Sequence, residues 1–347
     1  MKVLIINPAF YTYGGAERLI VKLANYLTEK GVESTVITQE ITPEIKQEFT
    51  ETRIITTDTM ENMAPIVQGI IHKFDVVNPH NDPAQLLLYP RMRPSVWMCN
   101  EPPYPVLMGQ ELPEPQRNMV RRHIDISIVA DDYNRKRFMD IYGVEPRVNP
   151  YGVDYDFFKD GDRLNALEKY GLGESFVVLQ VGMMTFTKNQ LKTISVFKKL
   201  KRKAPDAKLV LVGYKGGPYF KDVKRMITES GLRKDIIVTG EIPQEEVKDL
   251  YYAADALLAP IMSQGGWLST FEAMATGLPI IVSPKMTAAS VIMENELGAV
   301  TTDYVDELLA LYTKRRRTTK PRRWVKDNLP WDKFCGNMLK YFEEVRL

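Results

Sequence analysis

Short β-branched runs alternate with amphipathic helical stretches along the whole of this chain, and that alternation leaves few folds open. In the first half the runs are Val3 to Ile6, Ser34 to Thr38, Val76 to Asn78, Ser95 to Met98 and Ile126 to Ala130. In the second half they are Phe176 to Val181, Lys208 to Val212, Ile236 to Thr239, Ala256 to Ala259 and Pro279 to Val282. Strands separated by crossover helices pair in parallel, with helices on both faces of the sheet. A chain of 347 residues exceeds what one core commonly serves, so two domains of roughly 150 to 200 residues are expected. The fold class is α/β, built as two Rossmann-like, doubly wound halves. With 44% hydrophobic and 26% charged residues, both halves can bury a core.

Asn149-Pro150-Tyr151-Gly152 marks the join by its proline and glycine. The expected division is 1–152, 153–326 and a closing segment 327–347, in which Pro330-Trp331 opens an amphipathic run to Phe342.

Composition excludes several classes of function. The formal charge of +2 gives no general argument for nucleic acid, and no aromatic-basic motif of an RNA-binding module is present. The basic runs Lys198-Lys199-Leu200-Lys201-Arg202-Lys203 and Lys314-Arg315-Arg316-Arg317 read as solvated faces, with contact to anionic lipid as the alternative. Cys99 and Cys335 lie far apart, and His72, His80 and His123 lack metal-ligand spacing, so neither a disulfide framework nor a zinc site is expected. Met1 to Ile6 is a strand, not a signal peptide, and no apolar run approaches the ~20 residues that span a bilayer. The expected location is the cytoplasm, with peripheral contact at the inner membrane face as an extension.

Four segments carry the chemistry. Ala256-Leu257-Leu258-Ala259-Pro260 reads as a buried strand ended by proline; Gly265 and Gly266 make a turn; Ser269-Thr270-Phe271-Glu272 fits a capping box opening a helix. Strand, glycine loop and helix N-terminus together favour an anionic or polyhydroxyl ligand. The alternative is that Glu272 only caps its own helix by reaching back to Ser269. Near the N-terminus, Gly14-Gly15 precedes a helix with apolar positions Leu19, Ile20, Leu23 and Leu27, closed by Gly31. Glycines there let backbone N–H groups approach a diphosphate. The segment is not GxGxxG, which counts against a dinucleotide-dependent oxidoreductase. The third segment is Val181-Gly182-Met183-Met184-Thr185-Phe186-Thr187-Lys188-Asn189-Gln190, and the fourth is Val96-Trp97-Met98-Cys99-Asn100-Glu101-Pro102-Pro103-Tyr104.

These segments resemble the signatures of the retaining family 4 glycosyltransferases, the glycogen synthase and mannosyltransferase-like group 1 enzymes. The resemblance covers nearly the whole chain and implies a GT-B architecture, two Rossmann-like domains facing across a cleft. It implies an N-terminal acceptor domain, a donor domain held mainly by residues 180 to 282, and a tryptophan-initiated last helix that crosses back to the first domain. The implied reaction is transfer of a hexosyl unit from a UDP- or GDP-sugar to a saccharide or lipid-linked acceptor, with retention, without a metal and without a further cofactor. Asp154-Tyr155-Asp156 spells a DxD metal motif, but that motif belongs to a single mixed-sheet fold, and here it reads as linker.

Residue by residue, the resemblance puts Glu272 on the ribose hydroxyls and Lys188 on the leaving diphosphate. Gln264, Gly265, Gly266, Trp267 and Leu268 would line the sugar pocket, and Gly14, Gly15, Gly182, Ser269 and Thr270 would offer close backbone approach. Lys215, in Gly213-Tyr214-Lys215-Gly216-Gly217, and Lys192 are candidate extra cations, each with a solvated surface lysine as the alternative. The chain departs from the pattern at three places: Gln264 stands for a glutamate, Met183 for an arginine, and Asn100 for a histidine. An amide can hydrogen-bond a sugar hydroxyl but shuttles no proton. Adjacent Glu101 is a substitute, and His80, at a strand end, could face the acceptor.

Met92 to Met108 carries Trp97, Met98, Tyr104, Val106 and Leu107, flanked by Arg91, Arg93, Arg117, Arg121 and Arg122, which suits docking to a lipid-linked acceptor. The alternative is a buried strand followed by a proline-rich loop. Two rival functions stay open: an inactive glycosyltransferase-like subunit that assists a partner, and a GT-B nucleotide-sugar epimerase.

Overall fold

The computed structural model describes residues 1–10, 14–89, 93–107, 109–263 and 267–346. It forms two compact units, one of Met1–Gly152 with Trp331–Leu347 and the other of Val153–Pro330.

The first unit contains β1 (Lys2–Ile6), β2 (Glu33–Thr38), β3 (Arg53–Thr56), β4 (Val76–Pro79), β5 (Val96–Met98), β6 (Ile126–Val129) and β7 (Arg147–Val148). They run β3-β2-β1-β4 and β5-β6-β7, all parallel, and bridges Val77–Ser95 and His80–Met98 join the two groups into one sheet. The order reverses beside β1 and β4, so the loops after those strands flank a switch point, the place where open α/β sheets collect ligands. β1 is central, and Val3 to Ile6 are fully buried. Helix Gly15–Glu29 lays Leu19, Ile20, Leu23, Ala24 and Leu27 into the core at the helical period. It ends at Gly31, whose φ of 70° is the left-handed close that glycine makes at little cost.

The last helix, Trp331–Arg346, completes this unit by burying Phe334, Cys335, Met338 and Phe342. Asn149 Nδ2 donates to Phe334 O at 3.1 Å, Asn337 Nδ2 donates to Asn149 Oδ1 at 3.0 Å, and Arg147 pairs with Glu344. At Gly152 any side chain would collide with this helix, since a Cβ there would stand 2.5 Å from the Trp331 ring and 2.6 Å from its Cα.

The second unit contains β8 (Val177–Val181), β9 (Lys208–Val212), β10 (Ile236–Gly240), β11 (Ala256–Ala259), β12 (Ile280–Val282) and β13 (Ala299–Val300). Their order is β10-β9-β8-β11-β12-β13, again parallel throughout. Its switch point lies between β8 and β11.

Several expectations are corrected. Strands β3, β7 and β13 lie outside the runs picked from the sequence. The basic run at 314–317 is exposed, as expected of a solvated face, yet two of its arginines are bonded: Arg315 donates to Glu174 O and pairs with Asp206, while Arg317 donates to the carbonyls of Tyr251, Tyr252 and Ala254. Within the other basic run, Lys201 turns inward to Pro205 O, Ala207 O and Asp235. The 92–108 segment is mixed, with Tyr104 and Leu107 exposed. Trp97 and Met98 are fully buried, Arg93 donates to His72 O, and Arg117 and Arg121 both pair with Glu114. Arg91, Met92 and Met108 lie outside the described residues. Among the described residues no helix is long and apolar enough to cross a membrane.

Candidate functional site

In the second unit, the carboxyl edge of the sheet is bare backbone. Gly182, Gly213 and Gly240 end the neighbouring strands β8, β9 and β10 at φ of 147°, 137° and 82°. Gly182 N donates to Val212 O and Gly213 N to Gly240 O, both at 2.9 Å, so the three turns are stitched side by side. A Cβ on Gly213 would fall 2.2 Å from Gly182 O, which leaves glycine as the fitting residue.

Two lysines lie along this floor. The stem of Lys188 runs over Gly182, whose added Cβ would be 3.5 Å from Lys188 Cδ and Cε. Lys215 lies over Gly240, with Cε 2.9 Å and Nζ 3.1 Å from the place a Cβ would take. Lys192, by contrast, sits with its ammonium 5.9 Å from the Tyr304 ring centroid on the helix Gln190–Leu200. Met183, Phe186 and Tyr214 are exposed beside the floor, Phe186 by 68%.

The Lys188 loop is anchored to the strand across the switch point. Asn189, at a left-handed φ of 59°, donates from Nδ2 to Pro260 O at 3.0 Å, and Met262 N donates to Thr187 O at 2.9 Å. Gln180 Nε2 donates to Lys188 O at 2.7 Å from below. The loops after β8 and β11 are thus one bonded structure, leading into helix Trp267–Ala275.

That helix begins two residues before the expected capping box. Ser269 is the third residue of this described helix. The Thr270 side chain is fully buried, with its hydroxyl on the Met286 sulfur. Trp267 packs on Phe271 with centroids 4.2 Å apart and is largely core too. Glu272 meets a partner outside its own helix. It is 4% exposed, and its Oε2 accepts from the Tyr251 hydroxyl at 3.1 Å, a partner that nothing in the local sequence announces. Gln264, Gly265 and Gly266 lie outside the described residues.

In the first unit, Gly14 precedes the helix that begins at Gly15, and its carbonyl accepts from Arg18 N at 3.2 Å. Glu17 in that first turn has its carboxyl pKa raised by burial, opposed by the backbone N–H groups of Glu17 and Gly14 and reinforced by the charge of Glu101. Asn100 is held at both ends of its amide: Nδ2 donates to Asn81 Oδ1 at 2.8 Å and Oδ1 accepts from the Tyr151 hydroxyl at 2.9 Å. Asn81 is itself clamped by Met98 O and Trp97 Nε1. Asn100 therefore braces the loops after β4 and β5.

His80 does not face an acceptor. It is fully buried; because Asn78 Nδ2 donates to Val96 O, its Oδ1 receives the His80 Nε2–H at 2.8 Å. Burial lowers its pKa to about 3, so the ring is neutral. The DxD acids are spent locally: Asp154 caps helix Tyr155–Phe158 and Asp156 pairs with Lys159. Among the described residues no group of three or more His, Cys, Asp or Glu side chains is placed to hold a metal ion.

Known proteins agree with this architecture. Residues 162–320 match the family described as Glycosyl transferases group 1, and residues 13–157 match Glycosyltransferase Family 4. Over 229 residues the chain is 30% identical to the GDP-mannose-dependent alpha-(1-6)-phosphatidylinositol monomannoside mannosyltransferase of Mycolicibacterium smegmatis, across 60% of this chain and 59% of that protein. The chain thus spans less than two thirds of that relative's length. HepE of Anabaena, solved with UDP and glucose, shares the fold at a TM-score of 0.86 and 16% identity, covering 99% of this chain and 100% of that one. WaaG, a glycosyltransferase involved in lipopolysaccharide biosynthesis, does so at 0.75 and 19%, covering 99% of each. Two parallel, Rossmann-like halves, a glycine-floored switch point, and family matches over both halves lead to one conclusion: the chain belongs to the group 1 glycosyltransferases of GT-B fold.

Proposed function

We propose that the chain transfers a hexosyl unit from a nucleoside diphosphate sugar to a saccharide or lipid-linked acceptor, with retention of configuration and without a metal. The observation that carries this is the glycine floor of Gly182, Gly213 and Gly240 with Lys188 and Lys215 laid along it. A diphosphate fits such an edge because backbone amides approach it without side chains in the way and two ammonium groups offset its charge. The likeness to a GDP-mannose-dependent enzyme and to a fold-mate solved with UDP and glucose supports a nucleotide sugar without choosing its base.

Each group has a role in this reading. Lys188, with Lys215 behind it, takes up negative charge as the bond to the leaving diphosphate breaks. Glu272 accepts hydrogen bonds from the ribose hydroxyls. Gln264, Gly265 and Gly266 contact the sugar. The first unit binds the acceptor at its own switch point, where the Gly14-Gly15 turn, Glu17 and the braced Asn100 loop come from the ends of β1 and β5. Asn100 acts by bracing and by hydrogen bonding, since an amide carries no titrating proton.

A thermal-shift series with UDP, GDP, ADP and their sugar conjugates tests the donor site, because a ligand of the native state raises its stability by mass action. Stabilisation by one nucleotide series, lost in Lys188→Ala and Glu272→Ala, is expected. Absence of stabilisation by every nucleotide at millimolar concentration would refute a working donor site and favour the inactive-subunit alternative.

A further inference from the structure

We infer that Tyr251 is a positioning residue that sets the Glu272 carboxylate against the ribose of the donor nucleotide. The inference rests on the donor reading above and adds a residue to it. Tyr251 lies in helix Gln244–Ala253, on the far side of β11 from Glu272 in sequence, yet its hydroxyl donates to Glu272 Oε2 at 3.1 Å with its own side chain fully buried.

The phenol is held from behind as well as in front. Arg317 Nη1 donates to Tyr251 O at 2.8 Å and its Nη2 donates to Ala254 O at 2.9 Å. Arg163 Nη1 donates to Tyr252 O and Ala253 O, each at 3.1 Å. Two guanidinium groups therefore grip the last turn of this helix, where unsatisfied carbonyls carry the negative end of its dipole. The edge of the Tyr251 ring meets Phe158, with centroids 6.0 Å apart. A ring fixed at its backbone and along its edge presents its O–H in one direction, and a carboxylate oxygen that accepts it is turned to match.

A purely structural pairing would not need a charge. Beyond the phenol, a carboxylate is a stronger acceptor for ligand hydroxyls than the amide of a glutamine would be. Vicinal ribose hydroxyls are such a ligand, being two donors at a spacing a carboxylate can meet.

The test compares UDP and GDP with their 2′,3′-dideoxy forms by titration calorimetry on the full chain, wild-type and Tyr251→Phe. The wild-type protein is expected to prefer the ribonucleotide by roughly tenfold, the worth of one charge-assisted hydrogen bond at the low end. In Tyr251→Phe that ratio falls toward one while affinity for the dideoxy form stays unchanged. Arg317→Lys keeps the phenol but loosens the turn that carries it, and gives a second measurement if the Phe variant fails to fold; its ratio falls as well, by less. A Tyr251→Phe protein that keeps the full ratio, or that weakens both nucleotides equally, overturns the inference and leaves the donor reading standing. A folded wild-type protein that binds neither form of either nucleotide overturns both.

Discussion

Lys215 occupies the space that a side chain at Gly240 would fill: an added Cβ there lies 2.9 Å from Lys215 Cε and 3.1 Å from Nζ. Gly240 also holds a φ of 82°, so Gly240→Ala meets backbone strain and lysine displacement together. The expected result is a loss of roughly 1 to 2 kcal/mol in stability from the left-handed backbone. Nucleoside diphosphate affinity should fall as far as it does in Lys215→Ala. Calorimetry on both variants checks this; unchanged affinity in Gly240→Ala would remove Lys215 from the diphosphate site.

Met183 stands directly after Gly182 at 43% exposure, where the family pattern carries an arginine. Met183→Arg adds a bidentate cation beside Lys188 at an edge with room for it. Affinity for nucleoside diphosphates should rise roughly tenfold at low salt, given ~1.5 to 3 kcal/mol for a charge-assisted hydrogen bond. The gain should shrink as ionic strength increases. Equal affinities for variant and wild type across a salt series would place the diphosphate elsewhere.

Arg317 is exposed at the surface yet donates to three carbonyls at the end of helix Gln244–Ala253, and the desolvation of its guanidinium there, with the nearby charge of Arg163, lowers its pKa to about 10. Arg317→Ala strips those carbonyls of their donor. Urea unfolding should show a loss of roughly 2 to 4 kcal/mol, since each buried polar group left unpaired costs about 1 to 3. Arg317→Lys should recover only part, because an ammonium lacks the planar fork that spans several carbonyls.

His80 is neutral in the fold, its pKa lowered from 6.5 to about 3 by burial. Below pH 6.5 the unfolded chain takes up a proton that the native ring refuses, so the unfolded state binds more protons and stability falls as pH falls. The effect is absent above about pH 6.5 and amounts to at most ~1.4 kcal/mol per pH unit down to about pH 3. Denaturant midpoints for wild type and His80→Gln, measured from pH 7.5 to 5, should diverge in slope only on the acid side. Parallel curves would mean that the ring accepts its proton without opening the core.

Much of the fold was legible because central parallel strands announce themselves. Val177–Val181 and Lys208–Val212 are apolar on both faces and bounded by glycine, so composition and structure say the same thing. The strands that escaped, Arg53–Thr56, Arg147–Val148 and Ala299–Val300, are all edge strands, half-buried and short. Their existence depends on a neighbour's open ladder more than on their own residues. The candidate site divides in the same way. Lys188 and Gly182 are readable because spacing within one loop places them, whereas Gly240 under Lys215, Tyr251 on Glu272 and Arg317 on a helix end are contacts between distant stretches. Around Ser269-Thr270-Phe271-Glu272 the described helix already includes Trp267 and Leu268, and Thr270 and Glu272 meet Met286 and Tyr251, distant partners that no local pattern announces.

Because Trp331–Arg346 belongs with Met1–Gly152, the first unit is assembled from two lengths of chain with the second unit between them. Synthesis runs in one direction, and domains fold as units when their chain is complete. The unit encoded in the middle, Val153–Pro330, can therefore close before the first one does, while Asn149 still awaits Phe334 and Asn337 and the space facing Gly152 still awaits Trp331. A ribosome making this protein carries an unfinished N-terminal half until the whole of the second unit has been made, and the helix Trp331–Arg346 is the piece that seals it.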